Sequence, residues 1–152
     1  MSMHLRGIWN LGLNQFIGFS TQAVRHLLRV PYQSENSSIA LDLAINAVGA
    51  ACDKKLTHMV LTYLMGEIDG VAKDPRHLFR LHMSLQQHRE AARTAVIIGR
   101  EEQANGNYRN AHDLLFSMVQ ELRQRHLKVP TEMLDNLGLL HSYILAKVIP
   151  FL

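Results

Sequence analysis

The chain has 152 residues, 47% of them hydrophobic and 19% charged, with a formal net charge of +3. That is enough apolar material for one globular domain with its own core, and no acidic or basic block marks a disordered tail. The charge permits weak attraction to anionic partners but falls short of a nucleic-acid footprint, and the single cysteine, Cys52, excludes an internal disulfide framework and fits a reducing compartment.

The opening MSMHLRGIWNLGLNQFIGFS contains apolar residues, but Asn10, Asn14 and Gln15 interrupt any run long enough for a signal peptide or membrane span. Gly7, Gly12 and Gly18 would weaken a helix there, so residues 1–21 read as an irregular segment. No 18-residue apolar stretch occurs elsewhere, and the chain reads as cytosolic, without membrane insertion. From Gln22 to residue 148 apolar residues recur at helical spacing, and no β-branched alternation announces a strand. The predicted class is all-α over 22–148, followed by a short tail at 149–152.

Asn36, Ser37 and Ser38 are capping residues ahead of a helix expected to pack Ile39, Leu43, Ile45 and Val48, with alanines that allow close helix contact. Cys52, at its end, is expected to be a buried, inert thiol. Leu56, Met59, Val60, Tyr63 and Leu64 form the stripe of the next helix, and GEIDG at 66–70 supplies a turn. Asp74 is a natural N-cap with Pro75 in the first helical position, opening a helix expected to bury Leu78, Leu81, His82 and Leu85.

The following helix sets Ala91, Ala95, Ile98 and Gly99 on one face and ends at Asn105-Gly106, residues tolerant of left-handed backbone. Asn107 is expected to cap a helix with the stripe Ala111, Leu114, Leu115, Met118, Val119 and Leu122. Its basic end, Arg123, Arg125, His126 and Lys128, complements the helix dipole, and Pro130 marks the stop. The last helix, from Thr131, carries Leu134, Leu137, His141, Ile144 and Val148 on one side and Met133, Leu140, Tyr143 and Leu145 on the other. A helix apolar on most sides needs cover on both flanks, which makes Leu137, Leu140, Tyr143 and Ile144 a candidate partner surface.

His88-Arg89-x-Ala91 and Tyr108-Arg109-x-Ala111 echo each other 20 residues apart, each opening a helix. A flat ring at the helix start and an alanine that admits the neighbouring helix are solenoid features. Against the tetratricopeptide pattern, Gly99 takes the small position of a first helix, Tyr108 the aromatic of the second and Ala111 its small position. Ala95 stands at the tryptophan-like position, Arg123 at the closing proline and His88 where a tyrosine is usual, so the unit is degenerate. The predicted fold is antiparallel helical hairpins stacked as a tetratricopeptide-like α-solenoid fragment, with Ala91, Gly99, Tyr108, Ala111, Leu115 and Met118 as the repeat-packing set.

Catalytic groupings do not emerge. None of the nine histidines lies three or four residues from another, the spacing that joins two imidazoles on a helix. His112-Asp113 and Glu101-Glu102 are sequence neighbours and are expected to point apart. There is no phosphate-cradling glycine loop, nucleophile elbow or His-Glu-x-x-His, and no cofactor, metal or small-molecule substrate is expected. A rival reading uses Arg80, Arg89, Arg93, Arg100 and Arg109 as a basic ridge for RNA or acidic tubulin tails. Interleaved Glu90, Glu101 and Glu102 argue for ion pairing along a solvated face instead, so nucleic acid is not the expected partner.

The stretches VRHLLRVPYQSENSSIALDLAI and FRLHMSLQQHREAARTAVIIGREEQANGNYRNAHDLLFSM resemble the C-terminal helical-repeat tail of the WD-repeat subunits of intraflagellar transport complex A. The resemblance spans Val24 to Lys147. It implies a non-catalytic scaffold in retrograde ciliary transport, cilium assembly and ciliary membrane-protein trafficking, with other complex A subunits as partners. It also implies residence in the cytoplasm and cilium, including basal body and axoneme. With one tryptophan, Trp9, and no Trp-Asp dipeptide there is no sign of a propeller, and both ends depart from the family pattern. The chain is therefore expected to be a short or alternative form carrying part of the tail.

Overall fold

The structure, a computed structural model, describes residues 21–148. The expected tail at 149–152 and the irregular segment at 1–21 lie outside the described residues, apart from Thr21, which is helical. Seven helices and no strand occur among the described residues: α1 over 21–28, α2 Ser37–Ala51, α3 Lys54–Leu64, α4 Pro75–Ser84, α5 His88–Ala104, α6 Tyr108–Gln124 and α7 Thr131–Val148. The fold is all-α, built from helical hairpins. Chain contacts divide it into two compact units meeting at Leu85 and Gln86.

In the first unit α2 packs against α3 and, more extensively, α4. Its buried face is Ala40, Leu41, Ala44, Ile45 and Val48. The expected stripe is thus half right: Ile45 and Val48 are inside, whereas Ile39 and Leu43 are exposed and Ala40, Leu41 and Ala44 take the inward positions. The approach is tightest at Gly49, where a Cβ would stand 3.0 Å from that of Ser84.

Helix α2 stops at Cys52, which takes a left-handed backbone (φ 50°) while its N–H bonds Val48 O. Two residues later α3 begins, with the Asp53 carboxylate accepting from Leu56 N at 3.3 Å. The thiol of Cys52 donates to Gly49 O at 3.2 Å. The residue is exposed, contrary to the expected buried thiol, because a two-residue corner places it outside both helices.

Leu56, Val60, Tyr63 and Leu64 bring α3 into a core shared with Val24, Leu41, Ile45, Val48 and Leu81, while Met59 packs at its edge. In α4 only Leu81 is fully buried. Leu78, His82 and Leu85 are half-buried.

The α3–α4 connection is held by a cation. The Lys73 side chain is wholly buried, paired with Asp69 Oδ2 at 2.7 Å, bonded to Val71 O and set 4.4 Å from the Tyr63 ring centroid and 5.3 Å from that of Tyr32. Tyr32 in turn accepts from Asp74 N at 3.1 Å. A buried ammonium is tolerable only when paired and bonded in this way. The Lys73 hydrogen bond, then that of the Val71 N–H, holds the Asp69 carboxyl below its ordinary range.

Asp74 caps α4 as expected, accepting from Arg76 N at 2.9 Å with Pro75 in the first turn. Burial works to raise its pKa, but the backbone N–H and guanidinium of Arg76 outweigh it and hold the carboxyl below its ordinary 3.8. Asn36 and Asn107 also occupy cap positions, yet neither side chain makes a capping bond.

The second unit is α5 against α6 and α6 against α7. Ala91, Ala92, Ala95, Ile98 and Gly99 of α5 and Ala111, Leu115, Met118, Val119 and Leu122 of α6 are buried, and Leu114 is half-buried. At α5's end Gly106 takes φ 81°, with Gly106 N bonding Gln103 O at 3.0 Å and Asn107 N bonding Glu102 O at 2.8 Å. Those paired bonds form a Schellman cap. The same pair recurs after α3 at Gly66 and Glu67, and after α6 at His126 and Leu127.

Replacing Gly49 by Ala is expected to destabilise the chain by about 1–3 kcal/mol, because the new methyl meets a rigid Cβ. Gly99→Ala is expected to be neutral or to stabilise by up to about 1 kcal/mol, since its Cβ would sit 3.4 Å from Leu115 Cδ1 at ordinary contact distance. Urea unfolding of the two variants checks the opposite signs.

Asp74→Ala should cost about 1 kcal/mol at pH 7. A carboxyl whose folded pKa is depressed stabilises the fold above its unfolded value and loses that contribution as pH falls through the folded value. The gap between parent and variant is therefore expected to narrow below pH 3.8, as read from unfolding midpoints across an acid series.

Candidate interaction surface

The repeat-packing residues converge in the α5–α6 hairpin. Ala91, Ala111, Leu115 and Met118 are buried, and Leu115 fills the space in front of Gly99. Gly106 turns the chain so that Tyr108 opens α6 facing α7, where its ring lies 4.3 Å from that of Tyr143 at 44°. His88, the degenerate counterpart of Tyr108, is buried at the start of α5, and neither ring nitrogen has a hydrogen-bond partner.

On α7 the inward side is Met133 and Leu140, both buried. Of the four residues grouped as an open face, Leu140 therefore belongs inside, where α5 and α6 cover it at 2% exposure. Leu137 and Ile144 are half-buried, and Tyr143 is partly exposed. Leu139, absent from the expected set, is 70% exposed, and Leu134 and Leu145 are also open. Consecutive leucines on a helix point about 100° apart, so Leu139 and Leu140 cannot share a face. A strict count from Leu140 would have shown this.

Tyr143 and Lys147, one turn apart, are a second feature that spacing alone could have flagged. The Lys147 ammonium lies 4.9 Å from the Tyr143 centroid and 5.9 Å from that of Tyr108. A hydrogen bond to the Tyr143 hydroxyl, then the electrostatics of Tyr143 and Tyr108, raise its pKa above the ordinary 10.5.

The ion pairs differ from those expected. Arg100 reaches across to Glu132 on α7 and Arg80 to Asp42 on α2, both between helices. Arg125 bonds Glu121 along α6 at 2.7 Å. Exposed pairs of this kind orient side chains but contribute roughly 0–1 kcal/mol. Arg89, Arg93 and Arg109 are exposed and make no ion pair among the described residues, so the expected pairing with Glu90 does not form.

His112 and Asp113, expected to point apart, do meet, with Nδ1 3.2 Å from Oδ1. Asp113 is exposed and folds back beside its neighbour, while the imidazole stacks with Phe116 and with His141 of α7. Among the described residues no group of three or more His, Cys, Asp or Glu side chains could hold a metal ion. No helix of the described residues is long and apolar enough to cross a membrane.

No protein-family model matches the chain. Individual proteins do. WD repeat-containing protein 19 of Mus musculus is 53% identical over 131 residues, and that of Homo sapiens is 52% identical over 131. The chain is homologous to part of WD repeat-containing protein 19. WD repeat-containing protein dyf-2 of Caenorhabditis elegans is 38% identical over 133 residues. Each alignment takes in 86% of this chain but 10% of the relative, so the chain spans about a tenth of the length of WD repeat-containing protein 19. At 53% identity over 131 residues, the helical hairpins described here are the fold expected of the matching part of WD repeat-containing protein 19.

The two sides of α7 should respond oppositely to charge. Leu139→Asp is expected to change stability by less than about 0.5 kcal/mol, and Leu140→Asp to cost about 3 kcal/mol by burying an unpaired carboxylate. Thermal and urea unfolding of both variants distinguish the faces.

Proposed function

We propose that this chain is a non-catalytic protein-interaction scaffold, corresponding to part of the helical tail of an intraflagellar transport complex A subunit. The observation that carries the reading is the 53% identity to WD repeat-containing protein 19 over 86% of the chain. The helical hairpins supply the means. Small residues fix the helix spacing, and α7 leaves Leu139 and Tyr143 open on one flank of its buried Met133 and Leu140 side and Leu134 and Leu145 open on the other. An apolar ridge on a rigid hairpin suits association with another folded subunit.

On this reading the chain acts in retrograde ciliary transport, cilium assembly and ciliary membrane-protein trafficking, in the cytoplasm and cilium. Its partners are other complex A subunits, and it performs no catalytic step. The repeat-packing set holds the hairpin, and Tyr143 with Leu139 beside it forms the contact face, while half-buried Leu137 and Ile144 lie towards the covered side of α7. The helical-repeat hairpins lie within residues 22–148.

A basic surface that binds a polyanion, such as RNA or acidic tubulin tails, is the second reading. Exposed Arg89, Arg93 and Arg109, without ion pairs among the described residues, favour it. Salt separates the two, because counterion release makes polyanion binding collapse as salt rises, whereas apolar burial persists.

Capture from ciliated-cell extract with the chain as bait is expected to recover complex A subunits at low and high salt alike. Leu139→Asp with Tyr143→Asp should reduce that recovery at least about tenfold, equivalent to about 1.4 kcal/mol. Equal recovery by parent and double variant, or recovery of salt-labile polyanions alone, would overturn the scaffold reading.

A further inference from the structure

Tyr108 and Tyr143 form a wall shared by two adjoining grooves of the second unit. One, of about 640 Å³, lies over Ala104 and Leu140 beside exposed Leu139. The other, of about 210 Å³, is bounded by Arg109, Ile144 and Lys147. The larger is the size of a site that takes a substantial apolar group.

The charged residues that line these grooves, Arg100, Arg109 and Lys147, are all basic. No carboxylate lines either. Arg100, at the far end of the larger groove, is engaged with Glu132. Arg109 makes no ion pair among the described residues, and neither does Lys147, whose ammonium lies over the two tyrosine rings. A cation held over aromatic faces keeps its charge and its remaining donors available to an incoming anion.

We propose that this paired groove docks an acidic peptide segment of a partner protein, seating one apolar side chain against Leu139 and Tyr143 while flanking carboxylates meet Lys147 and Arg109. The proposal rests on the scaffold reading and specifies the chemistry of the partner. The apolar part of the site argues against a nucleic acid, since Leu139 and Ala104 would be set beside a phosphate backbone with two cations to answer it. The charge complementarity argues for carboxylates at the groove's lysine and arginine end and for an uncharged side chain in its leucine-lined part.

The test is selection of a random 12-residue peptide phage library on the immobilised full chain at physiological salt, followed by synthesis of an enriched peptide. The expected consensus places Asp or Glu within a few positions of Leu, Phe or Met. Its affinity should fall at least about tenfold for Lys147→Glu, for Tyr143→Ala, and when its acidic residues are changed to the matching amides. Melting curves that match the parent show that the variants are folded. A second pair, Arg109→Glu and Leu139→Ala, keeps the question open to refutation should the first variants fail to fold.

Lack of any consensus, a neutral or basic consensus, or undiminished binding by the variants would overturn the proposal. So would displacement of the peptide by polyuridylate at equal charge concentration, or a sedimenting dimer whose interface the peptide cannot enter. Selection of acidic peptides without capture of complex A subunits would defeat the functional reading and leave the groove standing. Capture without peptide selection would do the reverse.

Discussion

Close approach of helices through small side chains is the constraint on which the other features depend. A buried alanine or glycine contributes little area of its own, but it lets the facing helix come near enough for larger neighbours to interdigitate. Gly99 admits Leu115 in one unit, and Gly49 admits the Ser84 side in the other. Once α5 and α6 are that close, a three-residue turn can join them, and Tyr108 is delivered at a fixed height opposite α7. The tyrosine pair, the position of Lys147 and the grooves beside them follow from that spacing.

Much of this was legible in the order of residues. Asp74-Pro75, Gly106 and the stripe of α6 each combine two concordant local signals, a cap with a helix former or a left-handed turn with a following amphipathic run. Where periodicity alone was the guide, it was less secure. Ile39 and Leu43 are larger than the alanines beside them, yet Ala40, Leu41 and Ala44 take the inward positions. On α7 apolar residues occupy most of the circumference, so their pattern could not reveal which side its neighbours cover. The assignment of Leu140 to the open face failed there.

Side-chain partnerships were the least visible. Lys73 has Asp69 within an i,i+4 reach, but the rings of Tyr32 and Tyr63 that cover it come from farther along the chain, and no short-range pattern encodes that. Arg100 and Glu132 are likewise brought together only by the packing of α5 and α7. The meeting of His112 with Asp113 is a reminder that neighbouring helix positions diverge at Cβ, while a free carboxylate can still bend back along the surface. Homology to WD repeat-containing protein 19 supplies what neither pattern nor packing can, a relative to set beside a chain without a legible reaction.

Short corners have a kinetic meaning. Within each unit the contacts among α2 to α7 join helices no more than two places apart in the chain, and the corners at 52–53 and 105–107 are two and three residues long. Closing such small loops costs little entropy, and topologies of low contact order fold in microseconds to milliseconds. The α5–α6 hairpin can therefore assemble as soon as residue 124 has emerged from the ribosome, giving the nascent chain a template on which α7 condenses next.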